Sequence, residues 1–137
     1  MIVTDANVII YWATDSPQAS QVEQLLQYDS DWRTVPLWRY EFTNAMVMMI
    51  RAKVISESAA LKALDRAEDL MTPREHAVPQ HDVLGASLRY GISAYDAQYI
   101  VLAELSDAKC ITADAPLARK TPGTTVLLSQ CHRLGEA

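Results

Sequence analysis

"IVTDAN", residues 2–7, runs apolar residues into Thr4 and Asp5, and "CITADA", residues 110–115, runs apolar residues into Thr112 and then Asp114. A short β-branched run that stops at a polar turn former reads as a strand. Between these two strands the apolar positions follow a helical period. Over 36–54, Trp38, Phe42, Ala45, Met46 and Met49 fall on one stripe, and over 56–71 Ala60, Leu64, Ala67 and Met71 point inward. Further helices are expected over 18–28, over 81–90 with Gly91 as its C-cap, and over 93–105 behind Ser93, with a helical turn at 115–119. Strands are expected at 2–4, 33–35, 109–112 and 124–129, a continuing apolar segment at 8–12, and a proline-containing loop at 72–80. Strands separated by helices predict an α/β three-layer sandwich, its mostly parallel central sheet covered by helices on both faces. No repeat, low-complexity tract or linker interrupts the pattern, so one domain is expected over 1–137.

Composition narrows the possibilities. A chain of 137 residues, half of them hydrophobic and 21% charged, is long enough to bury a core and too apolar to be disordered. No basic or apolar signal segment precedes Ile2, and no apolar stretch approaches the roughly 20 residues that cross a bilayer, so a soluble cytoplasmic protein with no membrane partner is expected. Cys110 and Cys131 lack the closely spaced Cys or His partners of a zinc site and read as ordinary thiols. The net charge of -5, from 12 basic and 17 acidic residues, argues against a sequence-independent nucleic-acid binder. That argument weakens if several acids are metal ligands, because bound cations reverse the local sign.

Ligands of an open parallel sheet bind outside the carboxyl ends of its strands, which is where Asp5 and Asp114 fall. Glu41, early in the 36–54 helix, and Asp96, in the first turn of "SAYDAQYI", are candidates to join them. Each acid also has an ordinary structural role. Asp5 suits a turn with its own backbone, Asp114 suits an N-cap ahead of Pro116, Ser93 and Asp96 suit a capping box, and Glu41 suits the positive end of a helix. Capping explains acids one at a time and supplies no reason for four. Four carboxylates brought together raise one another's pKa and cost stability unless a cation neutralises them, and the hard ions Mg²⁺ and Mn²⁺ suit carboxylate oxygen.

The chain has no G-x-S-x-G, no glycine-rich phosphate loop and only four glycines. A carboxylate–metal site instead activates water and stabilises charge on a phosphate oxygen, so phosphodiester hydrolysis is the reaction class that fits. Asn7 and Thr112 are candidates to support it by holding a carboxylate or a water, against ordinary turn and strand-end bonding. Two rivals stand beside this reading. A phosphotransfer site would usually carry a second acid two residues after the nucleophile, where this chain has Asn7. A catalytically silent module would hold RNA or a partner protein, and it should keep its function when Asp5 or Asp96 becomes Asn.

In "VTDANVII", "WRYEFTNAM", "GISAYDAQYIVLAEL" and "CITADAPLA", taken in order over almost the whole chain, the sequence resembles the PIN-domain ribonucleases, and within them the VapC toxins of toxin–antitoxin pairs. The resemblance implies that Asp5, Glu41, Asp96 and Asp114 are the catalytic, metal-binding acids, with Asn7 and Thr112 in support. It also implies Mg²⁺-dependent endonucleolytic cleavage of RNA, with Mn²⁺ able to substitute, a homodimer, and inhibition by a VapB-type antitoxin. Ala6 stands where many relatives have Thr or Ser, and Ala115 and Pro116 fall where sequences vary. Arg39, Arg51, Lys53, Arg119 and Lys120 are available for RNA phosphates or simple solvation. Trp12, Trp32 and Trp38 are better suited to packing than to stacking on bases, and Met46, Met48 and Met49 suit either a partner surface or irregular core gaps.

Overall fold

Four strands, β1 (Ile2–Thr4), β2 (Trp32–Arg33), β3 (Cys110–Thr112) and β4 (Thr125–Leu127), pair in parallel in the order β2-β1-β3-β4. This computed structural model describes residues 1–135, and the last two positions of the domain expected over 1–137 lie outside the described residues. Among the described residues seven α-helices surround the sheet: α1 (Ala6–Ala13), α2 (Ala19–Tyr28), α3 (Leu37–Arg51), α4 (Glu57–Met71), α5 (Gln80–Tyr90), α6 (Ala94–Leu105) and α7 (Ala115–Lys120). The expected α/β sandwich is thus observed, with a sheet that is parallel throughout. Its two central strands are buried at every position, which is why Ile2–Thr4 and Cys110–Thr112 read as continuous rather than alternating runs.

The strand order positions the site. From β1 the chain crosses through α1 and α2 to β2 on one side, then returns past β1 through α3 to α6 and lays β3 on the other side. The direction of winding therefore reverses between β1 and β3, the crevice at which open α/β sheets bind their ligands. Asp5 directly follows β1, and Asp114 lies two residues beyond β3.

The helices fall close to their expected positions, and their caps show why they start there. Ser56 Oγ accepts from the Ala59 amide and Ser93 Oγ from the Asp96 amide, while Gly91 closes α5 at φ 64°, a left-handed conformation that a residue with a Cβ adopts only with strain. The α3 stripe buries Trp38, Phe42 and Met46, with Trp38 and Phe42 edge to face at 5.7 Å. Trp32 and Trp38 are fully buried and Trp12 half-buried, all three in packing roles. Both cysteines are buried and free.

Four segments differ from expectation. The apolar segment 8–12, to which the sequence pattern assigns no helix, lies within α1, which buries Ala6, Val8, Ile9, Ile10 and Ala13 around most of its circumference and so shows no helical period. Strand β2 ends at Arg33 rather than reaching Val35, because the Thr34 backbone turns to the 74–76 segment, donating to the Arg74 carbonyl and accepting from the His76 amide. The 72–80 loop opens with a 3₁₀ turn, Thr72–Arg74, and α5 begins at its end. Strand β4 stops at Leu127, and Leu128–Gly135 continues as 3₁₀ helix tied to α2, where the Tyr28 hydroxyl donates to the Leu134 carbonyl at 2.6 Å. No helix among the described residues is long and apolar enough to cross a membrane.

Candidate active site

Asp5, Glu41, Asp96 and Asp114 come from four separate places in the chain and line a single cavity of about 220 Å³ at the crevice between β1 and β3. Asn7 lines it as well, together with Ala6, Ile10, Asn44, Ala45, Met48 and Tyr99. Three helices present their N-terminal ends here, since Asp5 caps α1, Asp114 caps α7 and Asp96 lies in the first turn of α6. Their dipoles favour negative charge at this place.

The capping roles of Asp5 and Asp114 are observed, and each occupies only part of its carboxylate; at α6 the cap is the Ser93 hydroxyl, and Glu41 lies beyond the first turn of α3. Asp5 Oδ1 accepts from the Val8 amide at 3.1 Å, and its Oδ2 accepts from the Thr112 hydroxyl at 2.6 Å. The same Thr112 oxygen accepts from the Asp114 amide at 3.0 Å, so one buried hydroxyl joins the ends of β1 and β3. Asp114 Oδ1 accepts from the Leu117 amide at 3.0 Å. Glu41 reaches the cavity from the second turn of α3, and its Oε1 accepts from the Tyr99 hydroxyl at 2.6 Å.

The cost of gathering acids shows in their protonation. Burial pushes Asp5 up to about 6 from its ordinary 3.8; the Thr112 and Val8 bonds offset part of the rise, and the charges of Glu41 and Asp96 add to it. Glu41 is raised chiefly by burial and further by Asp96, against the Tyr99 hydroxyl. Asp96 is raised by burial and by Asp114, with Ser93 and the Lys120 ammonium pulling it back. Among the described residues no three His, Cys, Asp or Glu side chains stand close enough together to hold one ion. The four acids therefore share a cavity and one another's fields without forming a closed chelate.

Other candidates separate cleanly. Arg39 points away from RNA-contact duty: its guanidinium donates to Glu68 at 2.7 Å, Glu75 at 2.6 Å and Thr72 at 3.1 Å, tying α3 to the end of α4 and the turn after it. Arg51, Lys53, Arg119 and Lys120 are exposed. Lys120 also donates to the Gly91 carbonyl at 3.1 Å, which places a cation at the rim beside α6. Met46 is buried, Met49 half-buried, and Met48 exposed at the cavity wall. Sequence reasoning missed Tyr99 and Asn44, and it read Met48 as a partner surface or gap filler rather than as part of the cavity wall. Each was signalled by helical spacing, since Tyr99 lies three residues after Asp96, and Asn44 and Met48 lie three and seven after Glu41.

The PIN domain family model matches residues 2–121. The chain is 27% identical over 124 residues to Ribonuclease VapC3 of Pyrobaculum aerophilum, an alignment covering 88% of this chain and 95% of that one. The fold is similar to the crystal structure of PAE2754 from Pyrobaculum aerophilum, with a TM-score of 0.77 at 23% identity over 99% of this chain and 97% of that one. With a matched segment that runs from β1 through α7 and includes all four acids, this chain belongs to the PIN domain family.

Proposed function

We propose that this protein is a divalent-metal-dependent endoribonuclease of the VapC type, the toxin of a toxin–antitoxin pair. The observation that carries the reading is the cavity itself: four carboxylates delivered by four different elements to the switch point of the sheet. Helix caps and dipoles account for Asp5, Asp114 and Asp96 one at a time, but not for Glu41 or for the mutual repulsion of the set, a cost that function must justify. Likeness to a ribonuclease over most of the chain supports the same reaction.

The donor chemistry fits Mg²⁺, with Mn²⁺ able to substitute. The set is all oxygen, from Asp5, Glu41, Asp96 and Asp114 with Asn7 beside them, and Mg²⁺ commonly keeps several waters while taking only one or two carboxylates. Such an ion, when bound, supplies charge neutralisation for a scissile phosphate and acidity for an attacking water. The protein's own contribution is placement. Thr112 and the Val8 amide fix both oxygens of Asp5, the Leu117 amide fixes one oxygen of Asp114, and the capped first turn of α6 holds Asp96 at the cavity edge. Thr112 and Asn7 act in support, and a homodimer restrained by a VapB-type antitoxin completes the assignment.

The test uses purified, partner-free protein incubated with total cellular RNA, with Mg²⁺, with chelator, and as Asp96→Asn. Discrete cuts bearing 5′-phosphate and 3′-hydroxyl ends, dependent on both metal and Asp96, are the expected result. Ends carrying 2′,3′-cyclic phosphate refute hydrolysis by an activated water. A folded protein that cuts nothing in any condition and still binds a partner is instead a silent binding module.

A further inference from the structure

We propose that Tyr99 is a positioning residue that sets the orientation of the Glu41 carboxylate across the cavity. This inference rests on the reading of Glu41 as a cation ligand and goes beyond it, to the residue that aims that ligand. The two side chains come from different helices, Glu41 from α3 and Tyr99 from α6, and meet through one hydrogen bond of 2.6 Å. The Tyr99 ring is 1% exposed and packed in the core, so its hydroxyl has a fixed origin. Glu41 by contrast is only half-buried, on a long side chain with several rotatable bonds. Among the described residues the Tyr99 hydroxyl is the one hydrogen-bond donor that reaches the Glu41 carboxylate. With Oε1 held by Tyr99, the second oxygen has no hydrogen-bond donor among the described residues and remains available to the cavity that Glu41 lines.

The choice of residue supports this. A ring at so dry a position could be phenylalanine at no loss of packing, and a buried phenol hydroxyl costs free energy unless it finds a partner. Here the partner is a carboxylate of the site. Helix α6 thereby carries two functions on one face: Asp96 enters the cavity directly, and Tyr99, one turn further on, governs Glu41. Such outer partners orient metal ligands and change metal affinity by roughly 10–100-fold when removed.

The experiment compares the whole protein with Tyr99→Phe, Glu41→Gln and the double variant. Mn²⁺ binding is followed by calorimetry, and RNA cleavage is followed as a function of metal. Tyr99→Phe should raise the half-saturating Mn²⁺ concentration about tenfold, in calorimetric binding and in the metal dependence of cleavage alike. In the Glu41→Gln background the same change should have no further effect on Mn²⁺ binding. Unchanged Mn²⁺ affinity in Tyr99→Phe, or an equal loss in both backgrounds, overturns the proposal. If the unmodified protein neither binds Mn²⁺ nor cuts RNA, the nuclease reading fails, and the pairing is then decided in metal-free protein by proton NMR. A downfield hydroxyl resonance that vanishes in Tyr99→Phe and moves in Glu41→Gln upholds the positioning contact, and a resonance indifferent to Glu41→Gln overturns it.

Discussion

Replacing Asp5 with Asn should make the metal-free protein more stable at neutral pH while abolishing its proposed activity. The carboxyl is 7% exposed and holds its proton in the folded chain up to about pH 6, against an ordinary 3.8. Between those two values the folded state binds more protons than the unfolded state, so stability falls as pH rises through that window. Above it the ionised Asp5 costs about 3 kcal/mol relative to a group that stays neutral, at 1.36 kcal/mol for each tenfold change in acidity. An Asn keeps an oxygen for the Val8 amide but turns an amide nitrogen toward Thr112, whose hydroxyl proton loses its acceptor; about 1 kcal/mol is the cost of that mismatch. Asp5→Asn should therefore gain about 2 kcal/mol at pH ~7.5 in chelator, and should lose the advantage below pH ~4, where the native carboxyl is neutral in both states. Urea unfolding of both proteins across this range measures the difference directly, and the subtraction removes the titrating groups that are not coupled to Asp5 as Glu41 and Asp96 are. A variant less stable than the native protein at neutral pH, or a difference that does not change with pH, would refute the argument that Asp5 is a desolvated charge awaiting a cation.

Three further outcomes follow from the same structure. Mg²⁺ or Mn²⁺ at ten times its dissociation constant should stabilise the native protein by about 1.4 kcal/mol and raise its melting temperature by a few degrees, and Asp5→Asn should respond less, as thermal melts with and without metal will show. Thr112→Val removes both a donor to Asp5 and an acceptor for the Asp114 amide; it should cost about 2 kcal/mol in urea unfolding and move the acid limb of the pH–activity profile upward, since the lost bond is one that holds Asp5 down. Thr4 is fully buried, and its hydroxyl has no hydrogen-bond partner among the described residues. Thr4→Val keeps the shape and should raise stability by about 1 kcal/mol in the same assay.

What the sequence displayed and what it hid divide along a physical line. Asp5 and Asp114 were legible because both signals are local: an apolar run, a polar stop, and a helix whose first free amides the acid caps. Helix α1 was illegible for an equally local reason, since a helix buried on most of its faces loses the period by which helices are recognised. Arg39 was misleading because its partners Glu68 and Glu75 lie about thirty residues away, and only the packing of α3 against α4 brings them together. Convergence of the four acids is likewise a property of strand order. Spacing along the chain says nothing of whether β3 lands beside β1 or beyond β2, and in the second arrangement Asp114 would stand two strands from Asp5. Tyr99 was hidden most completely, because a residue that serves the site from within the core satisfies the core's pattern first. Its ring belongs to the continuous buried run 99–103 of α6, and one hydroxyl oxygen carries the rest of the message. Sequence patterns report which surface a side chain is buried against, whereas orientation at a site depends on single polar atoms whose partners are fixed only by the completed fold.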